Sequence, residues 1–232
     1  EGAARIARLA ASTGVQRMVH LSAIGADLSG TSIYAKTKGQ GEVTVRKHMP
    51  EAVILRPSVV FGPEDQFFNR FAAMSRFNPV LPISGGETKF QPVYVDDVAQ
   101  AAVAGVVGTA EAGIYELGGP DVESFRALMQ RMLDVLDRSR VIFDMPSPLA
   151  SLMAFGFDTL ETVTGRLFKN TLLTRDQLKS LAFDNVVTGE RGTFEDLGIA
   201  PRAMADILPL YVGVPAEQVD PRAIAQTAAQ DG

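Results

Sequence analysis

Two side chains in the stretch "SIYAKTKGQGE" (residues 32–42) have the types and the spacing for chemistry: Tyr34 and Lys38. Residues four apart on a helix share one face, so a phenol and an amine would reach the same point. A nearby cation favours the phenolate form of a tyrosine and brings it closer to use as a general acid or base. The same pair could instead hold a nucleotide, or be an ordinary helical pair whose tyrosine packs and whose lysine is solvated.

A serine lies shortly before this pair, at the end of an apolar segment. The run "VQRMVHLSA" (residues 15–23) is short, contains β-branched residues and ends in two small residues, Ser22 and Ala23. Such a run is typical of a buried parallel strand. Adjacent strand residues point to opposite faces of a sheet. The hydroxyl of Ser22 therefore need not serve the face toward which Ala23 points.

Helices and short strands alternate along most of the chain. Apolar spacing and capping residues predict helices over residues 2–13, 34–48, 65–77 and 124–136, one that starts at Asp96 and Asp97, and later ones over 148–168, 174–182 and 201–211. Strands are predicted in "VQRMVHLSA", "AVILRPSVVFG" (52–62), "FQPVYV", "GIYELGG" and "VIFDMP", with a loop at "NPVLPISGGE". This alternation predicts an open, mostly parallel α/β sheet.

The glycine-rich turn that usually begins a dinucleotide-binding sheet is not found in this sequence. The glycines of "KGQGE" (38–42) lie in a predicted helix and follow no strand, which favours a role in helix packing. The chain therefore looks like the later part of a Rossmann-like doubly wound parallel sheet, and about 90 residues would be absent if three βαβ units of roughly 30 residues came first. We expect this portion in residues 1–145 and a smaller, mainly helical region with a tail in residues 146–232.

The order of several short motifs resembles the extended and atypical short-chain dehydrogenase/reductase superfamily. "LSAIGAD" is followed by the Y-x-x-x-K motif "YAKTK", and then by "ILRPSVVFGPED", "QPVYVDDVAQA" and "YELGGPD". Each motif alone is weak, but the ordered series is specific. The combination of "RPSVVFGPEDQFFNRFA", "QPVYVDDVAQA" and "MADILPLYV" is similar to one branch, the nucleotide-binding accessory subunits of respiratory complex I (NADH:ubiquinone oxidoreductase), which has homologues in alphaproteobacteria.

This resemblance implies roles for the residues singled out above. In active relatives the tyrosine is the general acid/base and the lysine binds the nicotinamide ribose and lowers the tyrosine pKa, which gives these roles to Tyr34 and Lys38. Active members often end the strand with two serines, of which the second polarises the substrate carbonyl. Two alignments stay open: either Ala23 takes that position and a donor worth roughly 100–1,000-fold in rate is lost, or Ser22 is the catalytic serine. In both cases Ser22 is expected to contact the cofactor.

Further along the chain, the resemblance places the turn at the end of the second strand against the nicotinamide. Pro57 removes a backbone donor there and redirects the chain, and Pro57 and Val60 are the implied cofactor contacts. Arg56 could pair with an acid or with a phosphate. Asp96 and Asp97 suit a helix N-terminus better than a ligand pocket, because acids are favourable in the first turn.

Composition and charge exclude several classes of function. The sequence has 232 residues, no cysteine and only two histidines, so disulfides and thiolate sites are excluded and a catalytic metal is not expected. The net charge is −5, although residues 1–50 contain seven Lys and Arg against three Asp and Glu. An acidic protein is a poor candidate for nucleic-acid binding, whereas the basic start would suit a phosphorylated ligand. No apolar run of about 18 residues occurs, so nothing spans a membrane.

Three functions remain as hypotheses. The resemblance favours an accessory subunit that binds NADPH (or NADH) tightly, lacks turnover of its own and contacts other subunits of complex I. It would lie peripherally on the cytoplasmic face of a bacterial inner membrane, or on the matrix side in a mitochondrion. The alternative is a free-standing NAD(P)-dependent reductase, epimerase or dehydratase that uses Tyr34 as acid/base. The third is a cofactor-free module on the same fold.

Overall fold

The computed structural model describes residues 1–146, 148–153, 155, 175–214, 218–220 and 223–224. Its helices are α1 (Gly2–Ser12), α2 (Ile33–His48), α3 (Phe68–Phe77), α4 (Val95–Val107), α5 (Phe125–Val135), α6 (Arg175–Ser180) and α7 (Met204–Tyr211). Its strands are β1 (Val19–Leu21), β2 (Val53–Pro57), β3 (Val60–Phe61), β4 (Val80–Ile83), β5 (Lys89–Phe90), β6 (Val93–Tyr94), β7 (Gly113–Leu117), β8 (Glu123–Ser124) and β9 (Val141–Asp144).

The central sheet is parallel, with the strand order β1-β2-β7. Val53 and Leu55 of β2 are buried in the cluster that contains residues of α4, whereas Ile54 between them is buried in the cluster of α1 and α2. This alternation follows from the two-residue period of a strand. It places helices on both faces of the sheet, so the predicted α/β fold of the Rossmann type is confirmed.

A second core lies beside this sheet. It packs α3 and α5 against the C-terminal helix α7, with buried Phe68, Met129, Leu133 and Ile207 among its members. Three two-stranded pairs surround it: β3 with β6 and β4 with β9, both parallel, and β5 with β8, which is antiparallel. The C-terminal residues therefore complete a core that begins near residue 61.

One predicted loop is wrong. The stretch "NPVLPISGGE" contains β4, whose Leu81 and Ile83 are buried while Val80 is exposed. Pro82 is tolerated because, among the described residues, β4 pairs only with β9, and a strand with one partner can spare a backbone donor. The prolines concealed the alternation that would have predicted a strand.

Several predicted boundaries differ from those in the structure by a few residues. The helix expected over 65–77 begins at Phe68, and the last helix begins at Met204 rather than at residue 201. The helix expected over 174–182 covers Arg175–Ser180. Of the helix expected over 148–168, residues 148–153 are helical, and its residues 154 and 156–168 lie outside the described residues.

Candidate functional site

The three strands of the central sheet end at one edge, and the candidate site is built there. Beyond the strands proper, the Ser22 amide donates to the Leu55 carbonyl (2.7 Å), and the Ile24 amide donates to the carbonyl of Pro57 (3.1 Å). Parallel strands carry their carboxyl ends to the same side, where α/β sheets bind ligands. The residues that follow β1 and β2 are therefore held close together.

Helix α2 brings Tyr34 and Lys38 to this edge. The Lys38 Nζ lies 3.4 Å from the carbonyl oxygens of both Leu21 and Ser22, and 5.6 Å from the centre of the Tyr34 ring. Tyr34 is 49% exposed. The phenol and the amine are thus neighbours at the end of β1, as the helical spacing predicted.

The pKa shifts of this pair do not match those of an activated tyrosine. Burial raises the pKa of Tyr34 above its ordinary value, whereas an activating lysine would lower it. Burial also lowers the pKa of Lys38, and the Glu42 carboxylate opposes that change. In this structure the partial burial of Tyr34 works against formation of its phenolate.

The hydroxyl of Ser22 is occupied by a buried acid. Its Oγ donates to Glu42 Oε1 at 2.5 Å, and both residues are buried. A hydroxyl has one proton to donate, so Ser22 cannot polarise a substrate carbonyl while this bond exists. Ala23, the next residue, is also buried and has no polar side chain.

Glu42 belongs to a buried ionic network that also holds Arg56. The Arg56 guanidinium donates to both Glu42 oxygens, at 2.9 and 2.7 Å, and lies 3.6 Å from Glu116. The hydrogen bond that Arg56 donates to Glu42 raises the pKa of Arg56. Of the two partners that the sequence left open for Arg56, an acid and a phosphate, the structure contains the acid.

Pro57 and Val60 lie near the edge without lining the cavity described below. Pro57 is the last residue of β2 and pairs in register with Leu117. Val60 is half-buried and packs against the cluster between the sheet and α4. Their expected contact with a cofactor stays a prediction.

Asp96 and Asp97 lie in the first turn of α4, as predicted, but Asp97 has a further contact. It is fully buried, and its Oδ2 accepts a hydrogen bond from the Arg202 backbone amide at 2.8 Å. The Arg202 guanidinium lies 3.7 Å from Asp97 and 3.8 Å from Asp96. This pair joins α4 to the C-terminal region, and neither acid lines the cavity.

A cavity of about 550 Å³ lies over Tyr34 and the loop that follows β1. Its lining residues include Ile24, Asp27 and Tyr34 from the first part of the chain, and Lys179, Phe183 and Asn185 from the C-terminal region. The size is within the usual range for small-molecule sites. The C-terminal contribution could not be predicted from the sequence, because residues 176–191 show no motif and only a short helical pattern.

Lys38 has donors at this edge that could serve a bound nucleotide. A lysine amine has three donors, and the two carbonyl contacts of Lys38 are long for hydrogen bonds. Lys38 can therefore turn toward ribose hydroxyls at low cost.

Within the described ranges, no group of three or more His, Cys, Asp and Glu could hold a metal ion. Nor does any helix in that part of the chain have the length and apolar character needed to cross a bilayer.

Comparisons with known proteins agree with this fold. Residues 26–149, more than half of the chain, match the RmlD substrate binding domain family. Subunit 9 of the alpha subcomplex of mitochondrial NADH dehydrogenase (ubiquinone) 1 from Arabidopsis thaliana is 35% identical over 195 residues, which are 82% of this chain and 48% of that protein. Ceramide reductase from Caulobacter vibrioides is 29% identical over 147 residues, or 62% of this chain and 46% of that protein.

A solved structure shows the same fold. dTDP-4-dehydrorhamnose reductase from Bacillus anthracis, in complex with NADP, superposes with a TM-score of 0.53 at 17% identity; the match covers 63% of this chain and 57% of that one. The chain spans about half the length of the curated relatives described above.

Proposed function

This chain belongs to the RmlD substrate binding domain family and has the extended short-chain dehydrogenase/reductase fold, and we propose that it is the nucleotide-holding part of an accessory subunit of respiratory complex I. The similarity to the Arabidopsis subunit supports the choice of partner. The ligand would be NADPH, with NADH as the alternative. A ligand that binds only the folded state stabilises it by mass action, so a retained nucleotide has a structural role without turnover.

The observation that carries this proposal is the hydrogen bond between Ser22 and Glu42. It occupies the serine hydroxyl at the end of β1, beside Lys38. Losing one oxyanion donor costs roughly 100–1,000-fold in rate. The residues proposed to hold the cofactor would therefore be available, while the Ser22 hydroxyl, which could stabilise an oxyanion, already donates to Glu42.

The chain's own residues have distinct roles toward the nucleotide. Lys38 and the hydroxyl of Tyr34 would bind the nicotinamide ribose, and Ser22, Pro57 and Val60 would lie near the nicotinamide ring. The nicotinamide, when bound, could supply a hydride. Burial raises the pKa of Tyr34 and so favours the protonated hydroxyl, which can donate a hydrogen bond to the ribose.

We also propose a division of the chain and a location in the cell. Residues 1–145 would form the nucleotide-binding portion, and residues 146–232 would form the smaller region and tail. The protein would lie peripherally, on the cytoplasmic face of a bacterial inner membrane or on the matrix side of a mitochondrial one, in contact with other complex I subunits.

Nucleotide content of the purified full-length protein tests the proposal. We expect nicotinamide dinucleotide to copurify, and Lys38→Ala to lower its stoichiometry several-fold because the ribose loses a cationic donor. Lys36→Ala is the matched control, since Lys36 is an exposed lysine on the same helix. The measurement is nucleotide released per protein, quantified by chromatography. Equal stoichiometry in the two lysine variants would contradict the role given to Lys38.

A free-standing NAD(P)-dependent reductase is the second candidate, because Tyr34 and Lys38 lie together at the sheet edge and a ceramide reductase is a relative. The two candidates differ in whether bound NADPH is oxidised when carbonyl compounds or quinones are added. Oxidation that disappears in Tyr34→Phe would favour the reductase. Copurification with respiratory subunits, without oxidation, would favour the accessory subunit.

A further inference from the structure

A segment of the C-terminal region crosses the edge of the sheet above Tyr34. We call residues 176–191 the strap. The middle of the strap is fixed where Ser58 Oγ donates to the Asn185 carbonyl (2.8 Å) and contacts its side-chain oxygen (2.7 Å). Its far end is fixed where the Thr188 amide and hydroxyl both donate to Glu116 Oε2, at 2.8 Å each. Two points of the strap are therefore bound to the sheet.

The beginning of the strap is bound to helix α2 through one side chain, Asp176. Its Oδ1 accepts a hydrogen bond from the Ile33 amide at 2.7 Å, and its Oδ2 accepts one from the Tyr34 amide at 3.1 Å. These amides belong to the first turn of α2, where a helix has no backbone acceptors of its own and where negative charge is favourable. The carboxylate thus holds the helix that carries Tyr34 to the strap.

Asp176 supplies the acceptors for two backbone amides in the first turn of α2. A helix begins with four amides that lack helical partners. The Ala35 amide donates to Ser32 Oγ (3.0 Å), and the Lys36 amide donates to the Ser32 carbonyl (3.2 Å). The Lys36 bond is the first regular helical bond, so the four amides are those of the N-cap Ser32 and of Ile33, Tyr34 and Ala35. Ser32 Oγ serves Ala35, and Asp176 serves Ile33 and Tyr34. Removing the carboxylate would leave both of those amides to water.

The strap also lines the cavity opposite Tyr34. Lys179, Ser180 and Phe183 lie among its lining residues, all within seven positions of Asp176. Movement of this part of the strap would open the cavity and expose the Tyr34 ring. Burial, which raises the pKa of Tyr34, would decrease at the same time.

We propose that Asp176 is a positioning residue, which keeps the strap on the first turn of α2, holds one wall of the cavity beside the half-exposed Tyr34 and slows the release of bound nucleotide. The last part rests on the proposed function, because it needs a nucleotide in the cavity. The first part concerns the protein alone. The two parts can therefore be tested separately.

Amide hydrogen exchange on the full-length protein without added nucleotide tests the closure. In Asp176→Ala we expect about tenfold faster exchange at the Ile33 and Tyr34 amides and along the first part of the strap. Asp176→Asn retains one side-chain acceptor and should give an intermediate rate. Asp206→Ala is the control, since Asp206 is an exposed acid in the first turn of α7. Unchanged exchange in both Asp176 variants would overturn the proposal.

Dissociation of NADPH, followed by its fluorescence after dilution, tests the effect on release. We expect Asp176→Ala to release NADPH about tenfold faster than wild type, with Asp176→Asn in between and Asp206→Ala unchanged. Faster amide exchange with unchanged release would overturn the control of release by the strap. If the wild-type protein binds no NADPH, the proposed function fails, and the exchange experiment still decides the role of Asp176.

Discussion

The hydroxyl of Ser22 and the amine of Lys38 are held with different strength, and this difference determines which of them a ligand can recruit. Ser22 donates to a buried carboxylate at 2.5 Å, and hydrogen bonds to charged groups are the stronger class. Lys38 makes two contacts of 3.4 Å to neutral carbonyls. A ribose can compete for the lysine more easily than a substrate can compete for the serine. This difference agrees with the proposed binding of a nucleotide without turnover.

Tyr94 allows a pH-dependence test at the level of one residue. Burial, with the charge of Asp96 as a smaller cause, raises its pKa to about 12. The contribution of Tyr94 to the free energy of unfolding is fully present below about pH 10, the pKa of a tyrosine in the unfolded chain. It is lost as the pH rises toward 12, because in that range the tyrosine ionises only in the unfolded chain. One such group changes the free energy of unfolding by about 1.4 kcal/mol per pH unit.

We therefore expect Tyr94→Phe to lose stability less steeply than wild type between pH 10 and 11. Urea unfolding at a series of pH values measures how steeply the free energy of unfolding falls with pH in each protein. The titrations of the lysines and of the other tyrosines are common to both proteins and cancel in the difference. Parallel slopes for the two proteins would contradict the shift assigned to Tyr94.

At the residue scale, the contacts between residues a few positions apart were predictable from the sequence. The contacts between residues far apart along the chain were not. The shared face of Tyr34 and Lys38 follows from a separation of four residues. The Asp176 contact joins residues 143 apart along the chain. No periodicity or motif relates such positions, so only the folded chain could bring them together.

Helix α2 depends on close packing at Gly39, and this allows a prediction at the element scale. Alanine is favoured over glycine in a helix interior by about 1 kcal/mol. However, a Cβ at position 39 would lie 2.9 Å from backbone atoms of Asp27 and Leu28, in the loop that lines the cavity. Overpacking of this kind costs typically 1–3 kcal/mol. We expect Gly39→Ala to lower the free energy of unfolding by about 1 kcal/mol.

Gly41 provides the matched control on the same helix. A Cβ there would lie 3.3 Å from the His20 side chain, and no backbone atom would lie within 4 Å of it. Gly41→Ala should therefore be neutral or mildly stabilising. Urea unfolding of both variants measures the difference. Equal stabilisation by the two alanines would show that the loop moves freely away from α2. The glycines of "KGQGE", interpreted from sequence as packing positions, have this role at Gly39.

Elements with a regular period were predictable, and irregular ones were not. The central strands and helices α1 and α5 have apolar residues at the spacing of their type, and Pro50 marks the end of α2, so the positions of these elements were predicted within a few residues. Strand β4 lacks a clear period because prolines flank and interrupt it. Strands β5 and β8 have two residues each, too few to show alternation.

On the scale of the whole molecule, side chains from the two proposed regions, 1–145 and 146–232, are joined by buried polar contacts. The hydroxyl of Tyr211 donates to Asp65 at 2.5 Å, and Arg202 contacts Asp97. Both Tyr211 and Asp97 are buried. Separating the regions would break these contacts and would also expose the apolar core that α3, α5 and α7 share. We therefore expect the regions to unfold in one transition.

Arg202→Ala tests this connection directly. Burial raises the pKa of Asp97, and the nearby Arg202 opposes that rise, so removing the guanidinium leaves a buried carboxylate without its cation. Removing one partner of a buried ion pair is destabilising because the other charge is left uncompensated, and we expect a loss of about 1–3 kcal/mol at pH 7. Because the Asp97 pKa would rise further in the variant, its stability should approach that of wild type as pH falls and the carboxylate is protonated. Urea unfolding at pH 7 and at lower pH measures both effects.

The double variant Asp97→Asn/Arg202→Ala separates a pairwise contact from two independent losses. An asparagine needs no cation and can still accept from the backbone amide of residue 202, so the double variant should lose at least about 0.5 kcal/mol less than the sum of the single variants. Arg46→Ala, at an exposed position of α2, controls for loss of a surface charge. Strict additivity, or a loss in Arg202→Ala that does not shrink at lower pH, would mean that the Asp97 charge does not hold the regions together. In that case the shared apolar core of α3, α5 and α7 would be the remaining connection.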